Sequence, residues 1–222
     1  MAARRSYRDS CGIARALDLV GERWALLVVR ELVLGPKRFS DLQAGLPRLS
    51  PDVLAQRLRE LGEAGVVERR TLPPPAGSRV YDLTAWGREL EPVLLALGRW
   101  GSRGPFPPGD PPLGADALAL ALPTLFDPAK AGGLSATYEL RLGHDRFHVR
   151  VRDGRLQVAR AGVERPDAVV EGDPAALAAV LWHGRSLADA ERAGELRVEG
   201  SRTAARRFLR LFPPPVPAAT AP

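Results

Sequence analysis

The chain has 222 residues, of which 45% are hydrophobic and 26% charged, and its formal net charge is +6. This balance is typical of a folded globular protein and excludes a disordered one. No apolar run approaches the roughly 20 residues that span a bilayer, and the first residues lack the apolar core of a signal peptide. Because Cys11 is the single cysteine, an intrachain disulfide framework is excluded. We expect a cytoplasmic protein without membrane contact.

The first half of the chain is predicted to be rich in helices. Periodic apolar residues without helix breakers predict helices over residues 12–20 and 22–34. Ser40 is predicted to cap a short third helix over residues 41–44.

A longer helix is predicted to begin at Ser50-Pro51, because serine suits the N-cap and proline the first helical position. Leu54, Leu58 and Leu61 recur at helical spacing, which indicates one buried face. Two short strands follow over residues 66–72 and 79–83, and Thr84 is predicted to cap a last helix that runs towards Trp100.

Two short helices at a sharp turn, followed by a hairpin with a basic tip, predict a winged helix-turn-helix. A helix about 10–12 Å wide enters the major groove of double-stranded DNA, and arginines of the wing reach the neighbouring backbone. Glutamine and arginine can read adenine and guanine edges through two hydrogen bonds. Amides at the start of the longer helix can hold a phosphate through the helix dipole. The predicted DNA contacts are Lys37, Arg38, Ser50, Asp52, Gln56, Arg59, Arg69, Arg70 and Arg79.

Each predicted contact has a plainer alternative. An exposed arginine on a helix can simply be solvated, and the tryptophans Trp24 and Trp100 are most simply core or dimer packing. Arg57 lies beside the leucine stripe, where a structural ion pair is expected instead of a DNA contact.

The motifs of residues 11–100 are specific and stand in a fixed order. They include Gly21-Glu22-Arg23-Trp24, Gly35-Pro36-Lys37-Arg38-Phe39-Ser40-Asp41-Leu42, the run from Leu49 to Leu61, and Val80-Tyr81-Asp82-Leu83-Thr84. This region resembles the HxlR-type transcriptional regulators, relatives of the MarR winged-helix proteins. The resemblance implies a homodimer, formed through the first and last helices of the domain, on a dyad-symmetric operator. The prolines Pro73–Pro75 depart from the family pattern at the wing tip.

Cys11 stands where this family usually has its N-terminal cysteine, so the resemblance permits a redox sensor. That role requires an exposed thiol with a lowered pKa, and Arg8 and Arg15 are the cations that could favour the thiolate. The alternative is a small buried packing residue, a common fate of free cysteines.

A segment rich in proline and glycine, residues 104–115, is predicted to be a semi-rigid linker between two domains. The domains are predicted to span residues 1–103 and 116–213, and residues 214–222 to form a flexible tail. The first domain has a net charge of +5, so the basic bias of the chain belongs to it.

The second domain shows the alternation of an antiparallel sheet with one apolar face. Asp153-Gly154 is a typical two-residue hairpin turn between its second and third strands. Further strands are predicted around residues 167–172 and 196–198, with helices from Asp173 to His183 and from Ser201 to Phe212. The chain is therefore predicted to be α+β: a winged helix-turn-helix domain, then a mainly antiparallel sheet covered by helices.

Three phrases of the second half, residues 167–174, 194–200 and 208–212, resemble the sterol-carrier-protein type 2-like fold. The resemblance implies a tunnel between sheet and helices that accepts fatty acyl chains, sterols or similar apolar molecules. Helical spacing suggests the lining, and the alternative for each of these residues is ordinary core. The candidate lining residues are Leu177, Val180, Leu181, Phe208, Leu211 and Phe212.

Enzymatic and metal-binding patterns are weak in this chain. His144 and His148 lack a third ligand, and no Ser/His/Asp order, glycine-rich phosphate loop or CxxC motif is present. We therefore expect a protein that is not an enzyme and has no metal or cofactor. The predicted function is a DNA-binding regulator modulated by an apolar small molecule. The alternative is a lipid or sterol carrier whose basic N-terminal domain only positions it.

Overall fold

The computed structural model describes residues 6–74, 77–105 and 113–218. The chain divides into two compact units, Met1–Leu94 and Leu95–Pro222. The first unit is mainly helical with a two-stranded sheet, and the second holds a five-stranded sheet with helices, so the predicted α+β fold class is confirmed. Parts of the predicted linker and tail, and Pro75 at the wing tip, lie outside the described residues.

The elements of the first half follow the predicted order. They are α1 (Gly12–Val20), α2 (Ala25–Val33), α3 (Phe39–Gly45), α4 (Pro51–Glu63), β1 (Val67–Thr71), β2 (Arg79–Leu83), α5 (Ala85–Arg88) and α6 (Leu90–Gly101). The boundary between the two units falls inside α6, ahead of the segment predicted as a linker. In the described part of the chain, no helix is long and apolar enough to cross a membrane.

The starts of α2 and α3 differ from the prediction. Trp24 has a left-handed backbone, with φ 78°, so α2 begins at Ala25 and not at residue 22. The prediction that Ser40 caps α3 is wrong. Instead, the Asp41 carboxylate accepts a hydrogen bond of 3.0 Å from the backbone amide of Arg38, which is the N-cap residue.

The caps predicted at Ser50 and Thr84 are confirmed. Ser50 Oγ accepts a hydrogen bond of 3.4 Å from the Val53 amide, and Pro51 is the first residue of α4. Thr84 Oγ1 accepts one of 2.9 Å from the Gly87 amide. The helix that Thr84 caps is the short α5, which is separate from α6, whereas the sequence predicted one continuous helix.

The leucine stripe of α4 lies in the core of the first unit, as predicted. Leu54, Leu58 and Leu61 are buried together with Val28 and Leu32 of α2. The structural ion pair expected of Arg57 is also present, since this buried guanidinium lies 2.9 Å from Glu60 and 3.4 Å from Glu22. The opposite side of α4 is thereby fixed towards solvent.

The second half contains one sheet with strand order β5-β4-β3-β6-β7. Its strands are β3 (Ala136–Leu142), β4 (Asp145–Arg152), β5 (Arg155–Arg160), β6 (Ala168–Gly172) and β7 (Leu196–Gly200). All neighbours are antiparallel except β3 and β6, which confirms a mainly antiparallel sheet. Asp153 and Gly154 both have positive φ, 51° and 68°, as the predicted hairpin turn requires.

Helices accompany this sheet: α7 (Ala115–Leu125), α8 (Pro128–Ala131), α9 (Pro174–Trp182), α10 (Leu187–Arg192) and α11 (Arg202–Leu209). Helix α7 contacts β5 and α9, and α11 contacts β6 and β7. The sequence missed α7, α8 and α10, and it extended the last helix to Phe212. Asp173 and Ser201 cap α9 and α11 as predicted, through their side-chain oxygens.

Replacing the glycine at the end of β6 tests how closely the backbone of this sheet packs against the segment before β7. Gly172 has φ 149°, and a Cβ there would lie 2.0 Å from the Glu195 backbone oxygen. We expect Gly172→Ala to lower the free energy of unfolding by about 2–4 kcal/mol, from strain and overlap together. Denaturant unfolding of the full chain measures this loss.

Gly133→Ala is the matched control. Gly133 has φ 71° but nothing within 4 Å of its built Cβ, so only the left-handed backbone opposes alanine there, which costs about 1–2 kcal/mol. Equal losses in the two variants would contradict the importance of the contact at Gly172.

Candidate nucleic-acid interface

Helix α4 presents a polar face on the side opposite its buried leucines. Asp52, Gln56 and Arg59 are all exposed on this face. Gln56 Nε2 donates a hydrogen bond of 3.0 Å to Glu60 Oε1 one turn along the helix. In the described part of the chain, Arg59 has no ion pair or side-chain hydrogen bond, so its guanidinium is available to an external acceptor.

The segment between α2 and α3 is fixed by a buried ion pair. The ammonium of Lys37 lies 2.6 Å from Glu31 Oε2, and both residues are buried. A Cβ on Gly45, at the end of α3, would lie 2.4 Å from the same carboxylate oxygen, so glycine leaves the room that Glu31 occupies. Lys37 therefore differs from the other predicted phosphate contacts, because its charge is directed inwards.

The wing is the antiparallel hairpin of β1 and β2, and its arginines are exposed. The Arg69 guanidinium lies over the Tyr81 ring at 5.1 Å, and Arg38 Nη2 donates a hydrogen bond of 2.7 Å to Ser78 Oγ. Together the hairpin and the start of α3 form an open basic cleft of about 460 Å³. It is lined by Phe39, Arg69, Arg70, Thr71, Arg79, Val80 and Tyr81. The structure thus brings together three of the predicted phosphate contacts, Arg69, Arg70 and Arg79.

Cys11 is exposed and free, so the alternative of a buried packing residue is wrong. It occupies the N-cap position of α1, and its backbone amide donates a hydrogen bond of 2.8 Å to Asp9. Exposure meets one of the two requirements of a redox-sensing thiol. The sensor role itself stays a prediction.

The predicted lining of the second unit lies in its interior. Leu177, Leu181, Phe208, Leu211 and Phe212 are buried, and Val180 is half-buried. The Phe208 ring lies 4.7 Å from the Tyr138 ring and 5.0 Å from the Phe212 ring. Tyr138, which the sequence did not single out, is fully buried, and its hydroxyl has no hydrogen-bond partner among the described residues. Its place in an alternating apolar strand was the available signal.

The histidines do not gather into a metal site in the described part of the chain, where no group of three or more His, Cys, Asp and Glu side chains could hold an ion. His148 lies on β4, and burial together with the Arg150 cation lowers its pKa. His183 follows α9 and is exposed.

Comparison with known proteins identifies the family of the first unit. A family model described as HxlR-like helix-turn-helix matches residues 19–105. The HTH-type transcriptional regulator YvaP of Bacillus subtilis is 40% identical over 88 residues, which cover 40% of this chain and 82% of YvaP. The chain belongs to the HxlR-like helix-turn-helix family. Its function is that of a DNA-binding transcriptional regulator of this type.

Two solved structures are each similar to part of this HxlR-like chain. The reduced form of the transcriptional regulator YodB from B. subtilis is 34% identical, covers 43% of this chain and 94% of YodB, and has a TM-score of 0.38. The inverting sec-alkylsulfatase Pisa1 from Pseudomonas is 19% identical, covers 46% of this chain and 16% of Pisa1, and has a TM-score of 0.43.

The second unit is also similar to a known family. A family model described as alkyl sulfatase C-terminal matches residues 115–218. The likeness of this unit to the sterol-carrier-protein type 2-like fold stays a prediction.

Asp82 is a residue of the HxlR-like wing that the sequence interpretation missed. Its carboxylate is buried and lies 2.7 Å from Arg70 Nη2 and 2.6 Å from Arg88 Nη2. Along β2, Asp82 points to the same side as the buried Val80, whereas Arg79 and Tyr81 point to the other, more exposed side. This shared side with Val80 was the sequence signal for a buried carboxylate. Arg70 is consequently held against the wing and is less free than Arg69 or Arg79 to follow a phosphate.

Replacing this carboxylate tests its anchoring role. We expect Asp82→Asn to lower the free energy of unfolding by about 1–3 kcal/mol, because two half-exposed guanidinium groups lose their charge-assisted hydrogen bonds to the buried carboxylate. Thermal and denaturant unfolding of the full chain measure the loss. Asp52→Asn, which removes an exposed carboxylate of α4, is the matched control and should change stability by less than about 1 kcal/mol. A neutral effect of Asp82→Asn would show that the two arginines do not depend on it.

Proposed function

We propose that two copies of this chain bind a dyad-symmetric DNA operator and that an apolar small molecule in the second unit modulates the binding. Each copy reads the major groove with α4 and contacts the flanking backbone with its wing. The observation that carries this proposal is the exposed side of α4, where Gln56 and Arg59 project opposite three buried leucines. The protein acts in the cytoplasm, where its operator is located.

The individual contacts divide into base reading and phosphate binding. Gln56 and Arg59 are the base-reading side chains, because amide and guanidinium groups match adenine and guanine edges. The N-terminus of α4, from Ser50 to Asp52, receives a phosphate on its free amides. The phosphate-binding side chains are Arg38, Arg69, Arg70 and Arg79. Lys37 is reassigned to the internal ion pair with Glu31, since a buried and paired ammonium does not reach the duplex.

A second copy of the chain is the proposed partner of the exposed apolar side chains on the helices at either end of the first domain. Ile13 and Leu17 of α1 are exposed, and so are Val93, Leu97 and Trp100 of α6. Exposed large apolar residues on such helices are typical of a surface that a partner covers. A dimer presents two copies of α4 and so requires an operator with twofold symmetry.

The second unit is proposed to bind the effector by a sterol-carrier-like arrangement rather than to catalyse a reaction. Its interior combines aromatic rings with the Tyr138 hydroxyl, which is unpaired among the described residues. Burial raises the pKa of this hydroxyl, the Asp167 carboxylate raises it further, and the Arg207 cation opposes them. The hydroxyl is therefore neutral and able to donate a hydrogen bond. An effector with an apolar body and one acceptor atom matches this environment.

Effector binding changes DNA affinity only if the effector prefers one of two DNA-binding states. A saturating effector that left operator affinity unchanged would remove the regulatory part of the proposal and leave the DNA-binding part intact.

Fluorescence anisotropy on the DNA upstream of the protein's own gene tests operator reading. We expect tight binding to this DNA, at least about a thousandfold tighter than to scrambled DNA. Gln56→Ala/Arg59→Ala should remove about 2–6 kcal/mol of that preference, since each base contact contributes roughly 1–3 kcal/mol. Arg192→Ala, which changes an exposed arginine of α10, is the control and should leave the preference unchanged.

A different pattern would favour the lipid or sterol carrier. Weak and steeply salt-dependent binding that is equal on both DNAs is the expected result of nonspecific phosphate contacts alone. In that case either the operator lies elsewhere or the first unit only positions a carrier.

Removal of the Tyr138 hydroxyl tests the effector proposal. Tyr138→Phe should leave the stability of the ligand-free chain unchanged or raise it by up to about 1 kcal/mol, because an unpaired buried hydroxyl is removed. The same variant should bind a fluorescent fatty acid about fivefold more weakly, since phenylalanine cannot donate a hydrogen bond to the carboxylate. Tyr81→Phe, in the wing, is the matched control and should bind the probe normally. A loss of stability in Tyr138→Phe would mean that a structural partner satisfies the hydroxyl.

A further inference from the structure

The five-stranded sheet has one face whose charges are unevenly paired. On β3, β6 and β7 this face carries arginines and carboxylates together. Arg141 lies 3.0 Å from Glu139, 3.6 Å from Glu171 and 3.2 Å from Glu199. Arg197 also pairs with Glu199, at 3.2 Å. This part of the face is therefore internally neutralised.

The same face is different at the corner formed by β4 and β5. Arg150 and Arg152 are two residues apart on β4, so they point to the same side as each other. In the antiparallel register Arg152 lies opposite Arg155, and Arg150 lies opposite Gln157. These side chains surround an open cavity of about 350 Å³, whose lining is Arg150, Arg152, Asp153, Arg155 and Gln157. We call Arg150, Arg152 and Arg155 the arginine corner.

The arginine corner has almost no internal neutralisation. Arg152 lies 3.5 Å from Asp153, but both side chains are largely exposed, and such pairs contribute little. Among residues 6–74, 77–105 and 113–218, Arg150 and Arg155 have no ion pair or side-chain hydrogen bond. Like charges directly opposite each other on neighbouring strands destabilise a sheet. The pair Arg152 and Arg155 therefore has a cost that no well-placed carboxylate among these residues offsets.

We propose that the arginine corner is a second phosphate-binding surface that contacts the DNA backbone. The proposal rests on the DNA-binding function of the chain, because DNA is the polyanion that this function supplies. Three guanidinium groups within one cavity can each donate two hydrogen bonds to phosphate oxygens, and Gln157 adds an amide donor. Contacts to phosphates carry no sequence information, so the corner is expected to raise affinity without regard to sequence.

The neighbouring histidine does not make this surface dependent on pH near neutrality. His148 faces the same side of β4 as Arg150, and its position opposite Glu139 follows from the strand register. Its burial and the Arg150 cation both lower the pKa of His148 and so favour the neutral imidazole. The positive charge of the corner therefore comes from arginine, which stays protonated at every physiological pH.

Binding of the full chain to a scrambled, fluorescently labelled duplex tests the corner without knowledge of the operator. The variant is Arg150→Gln/Arg152→Gln/Arg155→Gln. A plot of log K against log salt has a negative slope, and we expect this slope to become shallower by about one unit for each phosphate that the variant no longer neutralises. The affinity at ~0.1 M salt should fall about tenfold for each such phosphate. Arg150→Lys/Arg152→Lys/Arg155→Lys retains three positive charges and should keep most of the slope.

The matched control removes the same charge from another surface of the same unit. Arg192→Gln/Arg202→Gln/Arg206→Gln changes three exposed arginines of α10 and α11 and should leave the slope unchanged. An equal fall in both glutamine triples would mean that only net charge acts, and it would overturn the proposal. An unchanged slope in the corner triple, with aggregation of that variant, would also overturn it, because the arginines would then protect the edge strand β5.

Failure of the DNA-binding function gives a distinct result. If the unaltered chain itself shows no salt-dependent binding to either operator or scrambled DNA, the function proposed for the first unit fails together with the corner. If the unaltered chain binds and the corner triple binds identically, only the corner proposal fails. Heparin or anionic vesicles that bind the corner while DNA does not would also contradict it.

Discussion

The buried pair of Glu31 and Lys37 fixes the DNA-facing half of the first unit. The Glu31 carboxylate accepts hydrogen bonds from Lys37 Nζ at 2.6 Å and Arg30 Nη2 at 2.8 Å. The backbone of Lys37 in turn exchanges two hydrogen bonds, of 3.0 and 2.8 Å, with Tyr81 of the wing. Burying one member of such a pair alone costs several kcal/mol, so the two charges must stay together. Helix α2, the start of α3 and the wing are thereby held in one arrangement.

Whether an arginine of this chain has a carboxylate partner, more than the number of arginines, decides what it does. Arg57 and Arg70 pair with Glu60 and Asp82, and these guanidinium groups orient elements of the fold. Arg59 and Arg150 lie on surfaces without a carboxylate partner among the described residues. A net charge of +6 cannot distinguish these two groups. An arginine without a carboxylate partner can bind a DNA phosphate and release its counterion without first breaking an ion pair.

The interior of the second unit contains a polar group that has no hydrogen-bond partner among the described residues. Tyr138 and Phe208 lie against each other in the core, and the phenol hydroxyl has no partner there among the described residues. Buried hydroxyl groups without hydrogen bonds reduce stability. A bound molecule with an acceptor atom removes that cost, so binding energy and stability of this unit are expected to be linked.

Local signals in the amino-acid sequence were sufficient for the Ser50-Pro51 start of α4, its leucine stripe, the Asp153-Gly154 turn and the α+β order, because each depends on neighbours within a few residues. The sequence missed α7, the internal direction of Lys37 and the anchoring by Asp82. It also left a buried Cys11 open as one alternative, although the thiol is exposed. These features depend on residues far apart in the chain, such as Asp82 and Arg70 across the hairpin, or Arg150 and Gln157 across two strands. They could be known only from the folded chain, since burial and charge pairing arise when distant segments meet.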